Sequence, residues 1–144
     1  LPSVKSSNFL WGILAKIEGM NRKPFEVLML NHEGHVTEGS VSNVFIVKAG
    51  IILTPPVCSG ILKGITRGVV IDMAEKFRVK VLETPITRHD VYNADETFLT
   101  NTSMEIMPVV LGDNRVIGDG KPGSITKKLL DEFRKVTAKR RLEK

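Results

Sequence analysis

The stretch Glu38–Arg67, EGSVSNVFIVKAGIILTPPVCSGILKGITR, decides the fold. A carboxylate at Glu38 is followed by small residues and Asn43, then by the apolar run Val44 to Val47. Ala49-Gly50 interrupts the run and Ile51 to Thr54 repeats it. This is the pattern of two short strands joined by a tight hairpin whose turn accepts positive φ at Gly50. A Gly-rich approach then leads to a helix start at Ile65-Thr66-Arg67. The order suits an aromatic, phosphorylated ligand: a carboxylate for a ring nitrogen at one end, and open backbone N–H groups for a phosphate at the other.

Working outward, Phe9, Leu10, Ile13, Leu14 and Ile17 form a helical stripe between Asn8 and about Met20. Phe25 to Leu30 reads as a strand that turns at His32-Glu33-Gly34-His35 and returns through Val36-Thr37-Glu38. Downstream of the central stretch, Gly64 to Arg78 carries a broad apolar face and continues the helix. Strands follow at Val79–Leu82, Thr97–Thr100 and Ile106–Leu111, the last limited by Pro108 to a sheet edge or a bulge. Gly112-Asp113-Asn114 marks a hairpin turn. Ile125, Leu129, Leu130, Phe133 and Val136 recur at helical spacing after Pro122. Strands and helices mix along the chain, which implies one α/β domain with a mixed sheet.

The chain of 144 residues is long enough to bury a core, with 42% apolar and 26% charged residues. No apolar run reaches the roughly 20 residues of a membrane span, so no membrane partner is expected. The single cysteine, Cys58, has no internal disulfide partner and reads as a loop thiol in a reducing cytoplasm. Net charge is +5, and nine basic residues from Lys121 to Lys144 supply much of it. They read as the solvated face of an amphipathic helix, because no basic stripe interleaved with aromatics accompanies them and nucleic acid is therefore not expected. His32, His35 and His89 lack a third ligand and read as turn residues, so no metal is expected.

The whole Glu38–Arg67 motif closely resembles the signature of the class IV (fold-type IV) pyridoxal-phosphate aminotransferases. That family includes branched-chain and D-amino acid aminotransferases and aminodeoxychorismate lyases. The resemblance implies pyridoxal 5'-phosphate as cofactor and Lys5, in Lys5-Ser6-Ser7-Asn8, as the catalytic Schiff-base lysine. It makes Glu38 the acid that keeps the pyridine nitrogen protonated. Ile65 and Thr66 hold the phosphate through their amides and the Thr66 hydroxyl. In the segment Thr100 to Val109, TNTSMEIMPV, Thr102 adds to the phosphate, and the amides of Ser103 and Met104 receive the substrate carboxylate. Arg67, Ser42 and Asn43 are expected to organise the backbone.

The resemblance spans residues 1–144 but only the larger C-terminal, pseudo-barrel domain of a family member. The smaller N-terminal domain is expected to precede Leu1, and with it an arginine for the outer face of the phosphate. The complete enzyme is expected to be a homodimer that exchanges an amino group between an amino acid and a 2-oxo acid, with branched-chain-type substrates. Two alternatives stay open: 4-amino-4-deoxychorismate lyase chemistry on the same scaffold, and a non-catalytic binding or oligomerisation fragment.

Overall fold

The computed structural model describes residues 10–20 and 24–142, with side chains as far as 138. At its centre is a five-stranded sheet built from β3 (Asn43–Lys48), β4 (Ile51–Thr54), β5 (Val81–Glu83), β7 (Glu96–Asn101) and β8 (Glu105–Val109). Its order is β5-β4-β3-β7-β8, antiparallel throughout except for the parallel β4–β5 pair. That parallel crossover is made by α2 (Ile65–Lys76), as parallel neighbours require. A second sheet of three strands, β1 (Leu28–Leu30), β2 (His35–Gly39) and β6 (Ile86–Thr87), packs beside it. The sheets stay open: the edge strands β5 and β8 do not pair with one another, and no closed barrel forms among the described residues.

β3 explains why both faces of the main sheet are covered. Its residues Val44 to Val47 are all buried, unlike a half-exposed strand with one polar face. Phe45 and Val47 point to one side, where α2 and α4 (Ser124–Leu142) close a core with Val70, Met73, Leu129 and Phe133. Phe45 stacks on Phe98 of β7 with ring centroids 4.9 Å apart, an offset pairing that adds about 1 kcal/mol to the burial itself. Val44 and Ile46 point to the other side, joining Val36, Ile86, Val91 and Leu99. α4 holds its apolar stripe against the first core, and Glu96 caps its start by accepting from the N–H groups of Ile125 and Thr126. Lys128 lies over the Phe77 ring, its nitrogen 4.3 Å from the centroid.

The β3–β4 hairpin turns at Ala49-Gly50 as expected, but positive φ is not confined to Gly50. Both Ala49 (φ 49°) and Gly50 (φ 75°) are left-handed, which makes the turn a primed type whose twist matches the strands. The Ala49 N–H donates to Asp95 Oδ2 at 2.7 Å and offsets the strain of a non-glycine residue there. Pro108 does sit on an edge strand, opposite Phe98, where its missing N–H breaks no ladder. The expected strand at Val79–Leu82 starts two residues later, at Val81. The sequence reading missed β6 and the short helix α3 (Arg88–Tyr92) altogether. Their signal was a capping box: Thr87 Oγ1 accepts from the Asp90 N–H, and Asp90 Oδ2 accepts from the Thr87 N–H. The N-terminal helix α1 (Leu10–Gly19) forms as expected but buries none of its residues; its apolar stripe faces outward.

Candidate functional site

β2 ends at Gly39 and β3 begins at Asn43, so the turn Ser40–Ser42 carries the chain from one sheet to the other. Glu38 therefore stands at the seam between the sheets. Its Oε2 accepts from the Leu62 N–H at 3.0 Å and from Asn43 Nδ2 at 3.3 Å. Asn43 also donates to the Leu62 carbonyl at 2.9 Å, so one side chain ties the acid to the segment leading into α2. Among the described residues, Glu38 Oε1 takes no hydrogen bond. Burial pushes the Glu38 carboxyl up to about 7 against the opposing pull of the Leu62 N–H. With one oxygen anchored and the other taking no hydrogen bond among the described residues, this side chain can accept from a cationic N–H, and such a cation would favour the ionised form that burial disfavours.

Gly64 precedes α2 in extended conformation (φ −65°, ψ 141°), and no side chain caps the helix. The first-turn N–H groups are thus left open by helix geometry, and the dipole favours an anion there. Glycine is required at 64 for a packing reason, since a Cβ would come within 2.2 Å of Asn43 Oδ1. The Glu38 anchor and the approach to the helix are therefore one packed unit. Thr66 is buried, and together with Ile65 and Thr102 it lines a cavity of about 270 Å³ beneath α4. Glu105 also reaches this cavity, but its Oε2 is paired with Arg134 Nε at 2.9 Å, which offsets its charge.

The structure thus brings Ile65, Thr66 and Thr102 to a single cavity, although the sequence separates the first two from the third by more than thirty positions. Lys5 lies outside the described residues. Ser103 and Met104 occupy the β7–β8 turn, and both of their N–H groups donate to Asn101 Oδ1, at 2.9 and 2.6 Å. Asn101 was not singled out in the sequence, nor were Leu62 and Glu26. The Asn-Thr-Ser order, which commonly caps a turn through its first side chain, was the available signal for Asn101. Arg67 is structural: its buried guanidinium donates to the Pro55 carbonyl at 3.0 Å and to Glu83 Oε2 at 2.6 Å.

These are groups of the kinds that hold pyridoxal phosphate: a half-buried carboxylate, an uncapped helix start tied to it through Leu62 and Asn43, and two threonines on one cavity, which Glu38 itself does not line. Comparison with known proteins points the same way. The family model described as amino-transferase class IV matches residues 1–111. A branched-chain aminotransferase from Thermoproteus uzoniensis, solved with norvaline, is 43% identical with a TM-score of 0.84, over 89% of this chain and 42% of that one. A T.th. branched-chain amino acid aminotransferase, solved with pyridoxamine 5'-phosphate, is 36% identical with a TM-score of 0.87, over 92% and 44%. The D-alanine aminotransferase of Bacillus licheniformis is 39% identical over 124 residues, 86% of this chain and 44% of that protein. The chain spans under half the length of such curated relatives, between 39% and 48%. Sequence, fold and donor set agree, and the chain belongs to the class IV aminotransferases.

Proposed function

We propose that this chain is the cofactor-binding half of an aminotransferase that moves an amino group between an aliphatic amino acid and a 2-oxo acid. The observation that carries the reading is the Glu38 carboxylate, anchored through one oxygen by Leu62 and Asn43 and open at the other, within the same packed unit as the uncapped start of α2. In this reading residues 1–144 are the C-terminal domain of a longer protein, with an N-terminal domain completing the pocket. The complete enzyme works as a homodimer in the cytoplasm. Substrates of branched-chain type follow from the relatives' names; the norvaline with which one of them was solved is an unbranched aliphatic amino acid.

Pyridoxal phosphate, when bound, supplies a conjugated ring that absorbs the electron pair left on Cα after deprotonation. The residues of this chain do the rest. Glu38 holds a proton on the ring nitrogen, a task matched to a carboxyl lifted to about 7 yet able to ionise against a cation. The N–H groups at the start of α2 and the hydroxyls of Thr66 and Thr102 hold the phosphate. Lys5 would hold the cofactor through Nζ, and its free amine would take the proton from the substrate Cα. The Ser103 and Met104 amides receive the substrate carboxylate, which must take over the place of Asn101 Oδ1 on those two donors.

The test is to titrate the protein with pyridoxal phosphate, reduce with borohydride and map the modified peptide by mass. Modification confined to Lys5, with a new visible absorption band before reduction, is the expected result. Labelling spread over surface lysines, with no saturable band, would rule the reading out.

A further inference from the structure

Glu26 and the turn it touches are given no task in the mechanism above, yet the structure concentrates its contacts there. Glu26 Oε1 accepts from the N–H groups of Val27 at 2.9 Å and Ser40 at 3.1 Å, and from the Ser40 hydroxyl. Its Oε2 accepts from the Ser42 hydroxyl at 2.8 Å and from the Val41 N–H at 3.4 Å. Every donor comes from the adjoining backbone or from the turn Ser40–Ser42. Burial opposes the charge, but the hydrogen bonds from Ser40, Val27, Ser42 and Val41 outweigh it and hold the carboxyl below its ordinary range. The clasp is therefore ionised throughout the physiological range.

The turn is also fixed by its surroundings. A Cβ on Gly39 would come within 2.2 Å of Ser42 Oγ and 3.0 Å of the Glu26 carboxyl carbon. Gly12 of α1, the helix that follows Lys5 in sequence, lies so close that a Cβ there would stand 2.5 Å from the Ser40 carbonyl oxygen. From the other side, Asn101 Nδ2 donates to the Val41 carbonyl at 3.1 Å, while Asn101 Oδ1 takes the Ser103 and Met104 amides. Three parts of the site meet on three residues: the helix after Lys5, the Glu38–Asn43 pair, and the Thr102 turn.

We propose that Glu26 is a positioning residue for this site. Its carboxylate locks the Ser40–Ser42 turn in the conformation that keeps Glu38 on Leu62 and Asn43, and the Thr102 turn on Val41. The role assigned to Glu38 rests on the functional reading above, but the clasp itself is a property of the protein without cofactor. Replacement of Glu26 by glutamine turns one acceptor oxygen into an N–H₂ donor facing a backbone N–H, and obliges the serine hydroxyl on that side to turn round and accept, with little change in volume. Aspartate keeps the charge but draws the carboxylate back by about 1.5 Å, out of reach of the two hydroxyls.

Amide hydrogen exchange on the cofactor-free protein tests this in E26Q, E26D and S42A. The expected result is a tenfold or larger acceleration at Ser40 and Val41, and also at Leu62, Ser103 and Met104, which donate to Glu38 and Asn101 rather than to Glu26. Amides of Ile46 and Phe98 in the β3–β7 ladder should keep their wild-type rates. Acceleration confined to Ser40 and Val41 overturns the proposal, because Glu26 would then be only a local cap. Equal acceleration at Leu62 and Phe98 overturns it too, since that is general loosening. Should E26Q and E26D fail to fold, S42A, which removes one donor and leaves the charge, decides on the same comparison. Absence of cofactor binding by the wild-type protein would sink the functional reading and leave this result standing.

Discussion

Glu38→Gln separates the electrostatic cost of the site from its packing. In the folded chain the Glu38 carboxyl is lifted from its ordinary 4.5 to about 7, mainly by burial. Between those values the folded state keeps a proton that the unfolded chain has released, so stability falls as pH rises through that window. Each tenfold step in that proton equilibrium is worth about 1.4 kcal/mol, which sets a ceiling of about 3 kcal/mol in a dry site. The side chain is only half-buried, and solvent screening brings the figure to about 1–2 kcal/mol. Glutamine has nearly the same shape and keeps an acceptor for the Leu62 N–H, but it carries no charge to bury. The variant should therefore match the wild type at pH 4.5 and exceed it by about 1–2 kcal/mol at pH 8. In a domain of this size that is a rise in Tm of about 3–6 °C. Urea denaturation of both proteins at pH 4.5, 6 and 8 measures it, and every other titrating group cancels in the difference. A pH-independent difference, or a less stable variant at pH 8, would refute the account of Glu38 as a strained carboxylate waiting for a cation. A positively charged ring N–H against the open oxygen relieves the same cost, so the stabilising variant should also lose most of its turnover.

Three further outcomes are expected. Lys5→Ala should abolish borohydride trapping and lower turnover by several orders of magnitude; near-normal transamination would remove Lys5 from its role. Thr66→Val and Thr102→Val each delete a charge-assisted hydrogen bond worth about 1.5–3 kcal/mol, so cofactor affinity should fall roughly 10- to 150-fold in each. The double variant should be non-additive if both act on one phosphate, and unchanged dissociation constants in both single variants would remove the assignment. Gly64→Ala places a Cβ 2.2 Å from Asn43 Oδ1, so Asn43 must give way and release Glu38. Its cofactor affinity should drop at least tenfold, and the start of α2 gains nothing in return, because Gly64 is the N-cap and alanine is a poorer N-cap than glycine; wild-type affinity would show the contact to be dispensable.

The linear chain carried the expected chemistry of the site and the type of most elements. The VFIV and IILT runs, the Ala49-Gly50 break and the uncapped Gly-Ile-Thr start are local patterns, and backbone sterics and hydrogen bonding read them locally. Lys5, Glu38, Thr66 and Thr102 were named from the resemblance of their motifs to the class IV family, before any contact was known. Other features were settled only by the folded chain. That α1 would leave its apolar stripe uncovered cannot be read from the stripe, because periodicity identifies a face and not what lies against it. β6 and α3 escaped because two-residue pairing and a five-residue helix carry too little periodic signal; their stability comes from β2 and from the Thr87 cap. Glu26 is the clearest case. In sequence it is an unremarked acid within the expected strand Phe25–Leu30, twelve residues from Glu38; in space the strand starts only at Leu28, and five hydrogen bonds make Glu26 the clasp of the turn on which the site is assembled. A carboxylate's role depends on which donors the fold brings to its two oxygens, and that is a property of tertiary contact alone.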